Sequence, residues 1–202
     1  MAPAASNVAN NSAISFRSSW FDYRKYWHLK QKSVAFRLSG GASWGGQPRP
    51  FYLGGVGNWI SPDFTYNNIY GIQSLYFSRL VTPLRGYNYF DIRGTRYALL
   101  NLEFRYPFVD YFVMKFPLHI ALSGVSGNLF YDMGAAWDDT KRFKGANSEN
   151  SFLRLKDIKS GFGIGARANL GFVVLKFDTA WKTDFQSVSP KPVYYFSLGA
   201  EF

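Results

Sequence analysis

The feature that most constrains this chain is a strict two-residue alternation of apolar and polar side chains in segments of about ten residues. In the last segment, Tyr194, Phe196, Leu198 and Phe202 fall on one face, and polar or small residues fall on the other. A period of two is that of a β-strand, and a tilted strand needs about 9–11 residues to cross a bilayer. The alternation predicts an all-β chain. The clearest segments are residues 97–106, 128–137, 162–170, 173–182 and 193–202.

Weaker alternation predicts further strands towards the N-terminus. Residues 34–39 alternate cleanly, whereas residues 14–29 lose their phase near Trp20–Asp22, which predicts a β-bulge there. An eighth strand within residues 6–10 is possible. Residues 1–12 are otherwise small and polar and predict a disordered or residual N-terminal segment, followed by one domain over residues 13–202.

The polar faces of these strands favour a membrane barrel over a soluble one. They carry charges among small glycines, as at Arg167, Lys176, Asp178 and Lys182. An apolar core does not tolerate such a face, whereas a wet lumen does. The apolar faces carry aromatic residues near the strand ends, which is typical of interfacial girdles. A soluble barrel or sandwich is the alternative, and a lipocalin-like binder would need an apolar interior instead.

Composition excludes several other classes. The chain has 202 residues, no cysteine and a formal net charge of +10. The basic residues are spread singly along the strands, so nucleic-acid binding is not expected. His28 and His119 are far apart, without acidic neighbours at metal spacing, and no metal or cofactor is expected. Residues 161–165 (Gly-x-Gly-x-Gly) lie inside an alternating strand, not before a helix, and no catalytic constellation is found. We expect the protein not to be an enzyme.

The connections between the predicted strands alternate in length, as in outer-membrane barrels. The longest, at residues 45–94, is rich in aromatic residues. A loop of that kind is predicted to fold back into the polar lumen. The polar connection at residues 138–157 is basic. It is either a solvated outer loop or a contact for the phosphates of lipopolysaccharide.

Four motifs, in order and spacing, resemble the outer-membrane protein 85 superfamily, also called the bacterial surface antigen family, of which BamA and TamA are members. The first is Leu84, Arg85, Gly86 and Tyr87 in the long loop, which resembles the family's apolar-Arg-Gly-aromatic signature. The others resemble the strands that follow in that family, up to an aromatic C-terminal strand. They lie at residues 101–107, 129–138 and 161–165. The resemblance implies the C-terminal half of a transmembrane antiparallel β-barrel.

The resemblance also implies roles for particular residues. In the family, the signature arginine enters the barrel and meets acidic side chains of the inner wall. By position this arginine is Arg85, and its partners are Glu103 and Asp132. The alternation independently places both acids on the polar face. The alternative is that Arg85 is a solvated loop charge.

The implied function is outer-membrane protein assembly or protein translocation in the bacterial outer membrane. Client outer-membrane or secreted proteins, outer-membrane lipid and lipopolysaccharide are the expected partners. The resemblance assigns the last strand, with Tyr194, Phe196, Leu198 and Phe202, to a seam and to a C-terminal signal. A passive or structural barrel without insertase activity is the alternative.

The predicted sheet of seven or eight strands is half of a family barrel. Missing upstream sequence, two paired copies or a short closed barrel could complete it. We expect an upstream half or a second chain, because an eight-stranded interior has little room for a fifty-residue loop.

Overall fold

The computed structural model describes residues 15–58, 78–109, 112–114, 120–122, 124–149, 152–170 and 173–199. Within these residues the chain is all-β, as predicted. No helix in the described part of the chain is long and apolar enough to cross a membrane. The strands are β1 (Phe16–Leu29), β2 (Lys32–Gly45), β3 (Phe51–Leu53), β4 (Arg79–Val81), β5 (Ile92–Gly94), β6 (Arg96–Val109), β7 (Phe112–Met114), β8 (Ile120–Leu122), β9 (Val125–Trp137), β10 (Ala146–Glu149), β11 (Phe152–Leu155), β12 (Lys159–Asn169), β13 (Val174–Thr183) and β14 (Val193–Gly199).

Seven of these strands form the main sheet, in the order β1-β2-β6-β9-β12-β13-β14. Every neighbouring pair is antiparallel. The sheet is not closed, because β1 and β14 each have one neighbour within the described residues. The predicted all-β, antiparallel fold is confirmed, and the open sheet is consistent with part of a barrel. How the wall is completed stays a prediction.

In the main sheet the apolar side chains are exposed and the charged side chains are buried, which is the reverse of a soluble protein. Large apolar side chains point outward, and Ile164 and Phe196 are 55% and 62% exposed. On the inner face Asp132 is fully buried and Glu103 is 1% exposed. Burial of charges is costly unless they are paired, so the inner face must supply its own partners.

The predicted bulge in the first strand is wrong. Strand β1 pairs with β2 without interruption, from Phe16 opposite Gly45 to Leu29 opposite Lys32. The alternation loses its phase because Trp20 lies on the inner, polar face, opposite Gly41. The Arg79 guanidinium covers the Trp20 ring at 3.6 Å from its centroid. An aromatic residue on the polar face therefore breaks the sequence pattern as a bulge would, although the strand pairing does not change.

The long connection between β2 and β6 has strands of its own, which its sequence did not predict. Strands β3, β4 and β5 form a three-stranded sheet in the order β4-β3-β5. Each strand has three residues, too few for a periodic pattern to appear. This small sheet packs on the inner face of the main sheet. The shared core consists of Phe51, Leu53, Val81, Leu84, Tyr97 and Leu99. Residues 59–77 lie outside the described part.

The remaining connections follow the alternation of an antiparallel meander. The β1–β2 turn, the β6–β9 connection and the β12–β13 turn share one rim. Strand β6 continues to Val109, and a two-stranded β7-β8 sheet follows it along the chain. Pro107 is tolerated because β2 pairs with β6 only as far as Arg105. The other rim, here called the long-loop rim, is where the connections between β2 and β6, between β9 and β12, and between β13 and β14 begin and end.

Candidate functional site

The loop motif Leu84–Tyr87 lies on the inner face of the main sheet. Leu84 is fully buried in the core shared with β6, and its backbone N–H donates to the Gly55 carbonyl at 3.0 Å. Gly86 adopts a φ of +96°, a left-handed conformation that side chains disfavour. The motif thus turns sharply beside the wall, with the Arg85 side chain directed at the strands.

Arg85 makes a two-pronged contact with Asp132 of β9. Its Nε lies 2.7 Å from Oδ2 and its Nη2 lies 2.9 Å from Oδ1. The backbone N–H of Arg85 also donates to Oδ2, at 3.0 Å. A planar guanidinium matches the two carboxylate oxygens in this arrangement, which is stronger and more specific than a single contact.

Two more carboxylates face the same guanidinium. Nη1 of Arg85 lies 2.6 Å from Oε1 of Glu103 on β6 and 3.7 Å from Oδ2 of Asp178 on β13. The guanidinium also lies over the Phe130 ring, 3.6 Å from its centroid. Burial disfavours the cation, but Asp132 and Glu103 outweigh it and raise the pKa of Arg85 above its ordinary value. Arg85 is therefore a permanent buried cation, only 1% exposed.

Neighbouring side chains complete the pairing of these carboxylates. Asn101 donates to Asp132 Oδ1 and to the Pro83 carbonyl, both at 2.8 Å. Arg105 donates twice to Glu103, and Arg167 forms hydrogen bonds with both oxygens of Asp178. The cluster has three arginines and three acids, so its formal charge is zero. We call this set the arginine cluster: Arg85, Arg105, Arg167, Glu103, Asp132 and Asp178.

The residues after Arg85 are tied to the other end of the sheet. The Tyr195 hydroxyl of β14 accepts from the Gly86 N–H at 2.9 Å and donates to the Tyr87 carbonyl at 2.8 Å. The Tyr87 hydroxyl donates to the Ser160 carbonyl of β12 at 3.3 Å. Burial raises the pKa of Tyr87, so its hydroxyl stays protonated and remains a donor. The motif therefore bonds to strands from β6 to β14.

Glycines of the wall make room for this close approach. A Cβ at Gly161 would collide with the backbone carbonyl of Arg85. A Cβ at Gly134 would come within 3.1–3.3 Å of Leu99, Leu53 and Leu84. Gly161, the first glycine of the Gly-x-Gly-x-Gly pattern, and Gly134 thus provide space for the loop.

A second group of contacts joins the loop to the opposite edge of the sheet. Arg37 of β2 donates to both carboxylate oxygens of Asp22 on β1, at 2.9 and 2.7 Å, and also to the Thr82 carbonyl. Arg24 donates to the same carboxylate. Together with Arg79 over Trp20, these contacts hold the loop beside β1.

The structure brings together the motif and the two acids that the sequence selected, and adds residues that it missed. Asp178 was assigned only to the lumen wall, and Asn101 and Tyr195 were given no role. All three lie on the alternating polar face, which was the available signal. That alternation does not show which residues of the face contact the loop. Among the described residues, no group of three or more His, Cys, Asp or Glu side chains could hold a metal ion.

The residues predicted for a seam lie at the edge of the sheet. Tyr194 and Phe196 point outward from β14 and are 65% and 62% exposed. Leu198 is half-buried on the same face. Phe202 lies outside the described residues. The seam itself stays a prediction.

Comparison with known proteins gives one match. The Omp85 superfamily domain model matches residues 5–202. No curated protein and no solved structure matches the chain. The match confirms the family resemblance drawn from the four motifs.

Proposed function

The chain belongs to the Omp85 superfamily, whose members are bacterial outer-membrane proteins, and we propose that it acts in outer-membrane protein assembly or protein translocation. Its main sheet would form part of a barrel wall in the outer membrane. The exposed apolar outer face and the buried charged inner face support this placement. The proposed role involves pairing and positioning of protein strands, without catalytic chemistry.

The observation that carries the proposal is the open edge at β14. This strand pairs with β13 on one side and with no other strand in the described residues. The Leu198 N–H points away from β13, since it donates to the Asn58 side chain at 3.1 Å. By alternation the N–H groups of Tyr194 and Phe196 point the same way. An edge of this kind in lipid needs a strand to satisfy it.

We propose that a client strand can supply this pairing, by addition to the edge. The rest of the barrel, from an upstream half or a second chain, would complete the wall when no client is present. Native mass in detergent distinguishes a wall made by one chain from a wall made by several. The buried arginine cluster supports the proposal, because it gives the loop a fixed position beside the strands that the edge continues.

A proline at the edge tests the proposal. Phe196→Pro removes one outward N–H, whereas the pairing with β13 uses the neighbouring residues. Phe196→Leu keeps this N–H and is the matched control. We expect both variants to show heat-modifiable gel migration. Insertion of an outer-membrane client into liposomes should fall for Phe196→Pro alone. Equal insertion by the two variants would contradict pairing at this edge.

A passive barrel remains the second candidate, and one observation favours it. A cavity of about 440 Å³ lies on the inner face, and basic side chains outnumber acidic ones in its lining: Arg24, Arg37, Arg79, Arg85, Arg167 and Lys176 against Asp22, Glu103 and Asp178. A basic cavity of this kind could conduct anions. Steady anion-selective single-channel conductance, without client insertion, would support the passive barrel over the insertase.

A further inference from the structure

A second cavity, of about 510 Å³, opens at the long-loop rim. It lies between the start of β12, the end of β13 and the loop at residues 184–192. Three lysines from different segments line it: Lys156, Lys159 and Lys182. Tyr87 of the loop motif forms part of the same wall. The cavity is separate from the arginine cluster and has no part in the function proposed above.

The three ammonium groups are left without a carboxylate partner among the described residues. Lys159 donates to the Lys156 carbonyl at 3.0 Å, which uses one of its three N–H groups. Lys182 lies over the Tyr87 ring, 4.7 Å from its centroid. These contacts fix the positions of two amines without neutralising them.

Asp184 is the acid that lines this cavity, and its carboxylate is already hydrogen-bonded to neighbouring groups. Arg154 donates to its Oδ2 at 2.8 Å, and the Ser187 backbone N–H donates to its Oδ1 at 2.7 Å. The hydrogen bond from Ser187 and then that from Arg154 hold the pKa of Asp184 below its ordinary value. Its charge is thus balanced by Arg154, and the cavity keeps the positive charge of its lysines.

We propose that this cavity binds a phosphate group, carried by the head group of a phosphorylated lipid at the membrane surface. Three lysines that line one cavity suit the oxygens of a phosphate group, toward which each ammonium acts as a point charge. The volume is within the range of small-molecule sites and leaves room for a sugar beside the phosphate. The choice of a lipid over a free phosphate ion rests on the proposed function, which puts this rim at the membrane surface.

Occupation of the cavity should also affect the loop motif. A Cβ at Gly86 would lie 3.4 Å from Cγ of Lys182, so the lysine borders the turn as well as the Tyr87 ring. A phosphate in the cavity would bind the Lys182 ammonium and so hold the side chain that borders Gly86 and the Tyr87 ring. Protease cleavage within residues 45–94 should therefore slow when the cavity is filled.

Binding of bis-phosphorylated lipid A to the detergent-solubilised full chain tests the site. Loss of one lysine near an anionic surface should weaken binding about fivefold, so Lys159→Gln with Lys182→Gln should weaken it about 25-fold. Lys191→Gln, on the same rim but outside the cavity, is the matched control. Lys156→Gln alone should cost about fivefold, and covers the case in which the double variant does not fold.

The outcomes separate the sources of the phosphate. Tighter binding of lipid A than of its dephosphorylated form, with losses in the double variant and in Lys156→Gln but not in Lys191→Gln, supports the proposal. Equal binding by the double variant and Lys191→Gln overturns the site. Inorganic phosphate that binds as tightly as lipid A overturns the lipid assignment and leaves an anion site. Because binding in detergent needs neither a client nor insertion, failure here is distinct from failure of the proposed function.

Discussion

Replacement of Arg85 by alanine should destabilise the protein and release the long loop. Asp132 receives four hydrogen bonds, from three donors of Arg85 and one of Asn101. The substitution removes the two from the guanidinium and leaves the backbone N–H and Asn101. Glu103 keeps both hydrogen bonds from Arg105. The largest penalty therefore falls on Asp132, which is fully buried.

The magnitude follows from these losses. Each hydrogen bond to a charged group contributes roughly 1.5–3 kcal/mol, and breaking a buried ion pair costs about 3–5 kcal/mol. We expect Arg85→Ala to lower the free energy of unfolding by about 3–5 kcal/mol. Arg85→Ala leaves the Asp132 carboxylate without its main partner. The double variant Arg85→Ala/Asp132→Ala should therefore lose less unfolding free energy than the two single variants lose together, by up to about 3 kcal/mol.

Two measurements check this expectation. Urea unfolding in detergent gives the change in free energy, and limited proteolysis reports cleavage within residues 45–94. Arg142→Ala is the matched control, because its side chain is 90% exposed and lies 3.7 Å from Asp139. A surface pair of that kind contributes about 0–1 kcal/mol. If Arg85→Ala behaves like Arg142→Ala in both assays, the buried cluster does not hold the loop.

Two further predictions concern the surroundings of this cluster, and a third concerns Asp184 at the second cavity. Gly161→Ala should displace the loop and speed its proteolysis, because the new Cβ meets the Arg85 carbonyl, whereas Gly46→Ala, with no atom closer than 4.0 Å, should have little effect. Tyr195→Phe leaves a buried loop N–H without its acceptor and should lower the free energy of unfolding by about 1–3 kcal/mol, measured in urea. The carboxyl of Asp184 should titrate below its ordinary pKa in an NMR pH series. The stability that this carboxylate contributes is present above its pKa in the unfolded chain and is lost as the pH falls through its pKa in the folded protein. Titration of Asp184 at its ordinary pKa would contradict the hydrogen bonds assigned to it.

The sequence predicted much of the wall and part of the site. Alternation placed Glu103 and Asp132 on the inner face, and the family resemblance of a short motif implied Arg85 as their partner. The same reasoning erred at Trp20, where an aromatic residue on the inner face was taken for a bulge. It also missed β3, β4 and β5, since three-residue strands carry no readable period.

What the sequence by itself determined is which side the residues of the clearly alternating strands occupy. That property is local, because successive side chains of a strand point to opposite faces whatever the rest of the chain does. Apart from the pairing of Arg85 with Glu103 and Asp132, which the family resemblance implied, tertiary structure decided which inner residues meet. The path of the loop and the pairing of the seven strands bring Asp178 and Tyr195 to the motif and leave Lys156, Lys159 and Lys182 around one cavity. Such distances depend on every strand between them, so no single segment of the sequence encodes them.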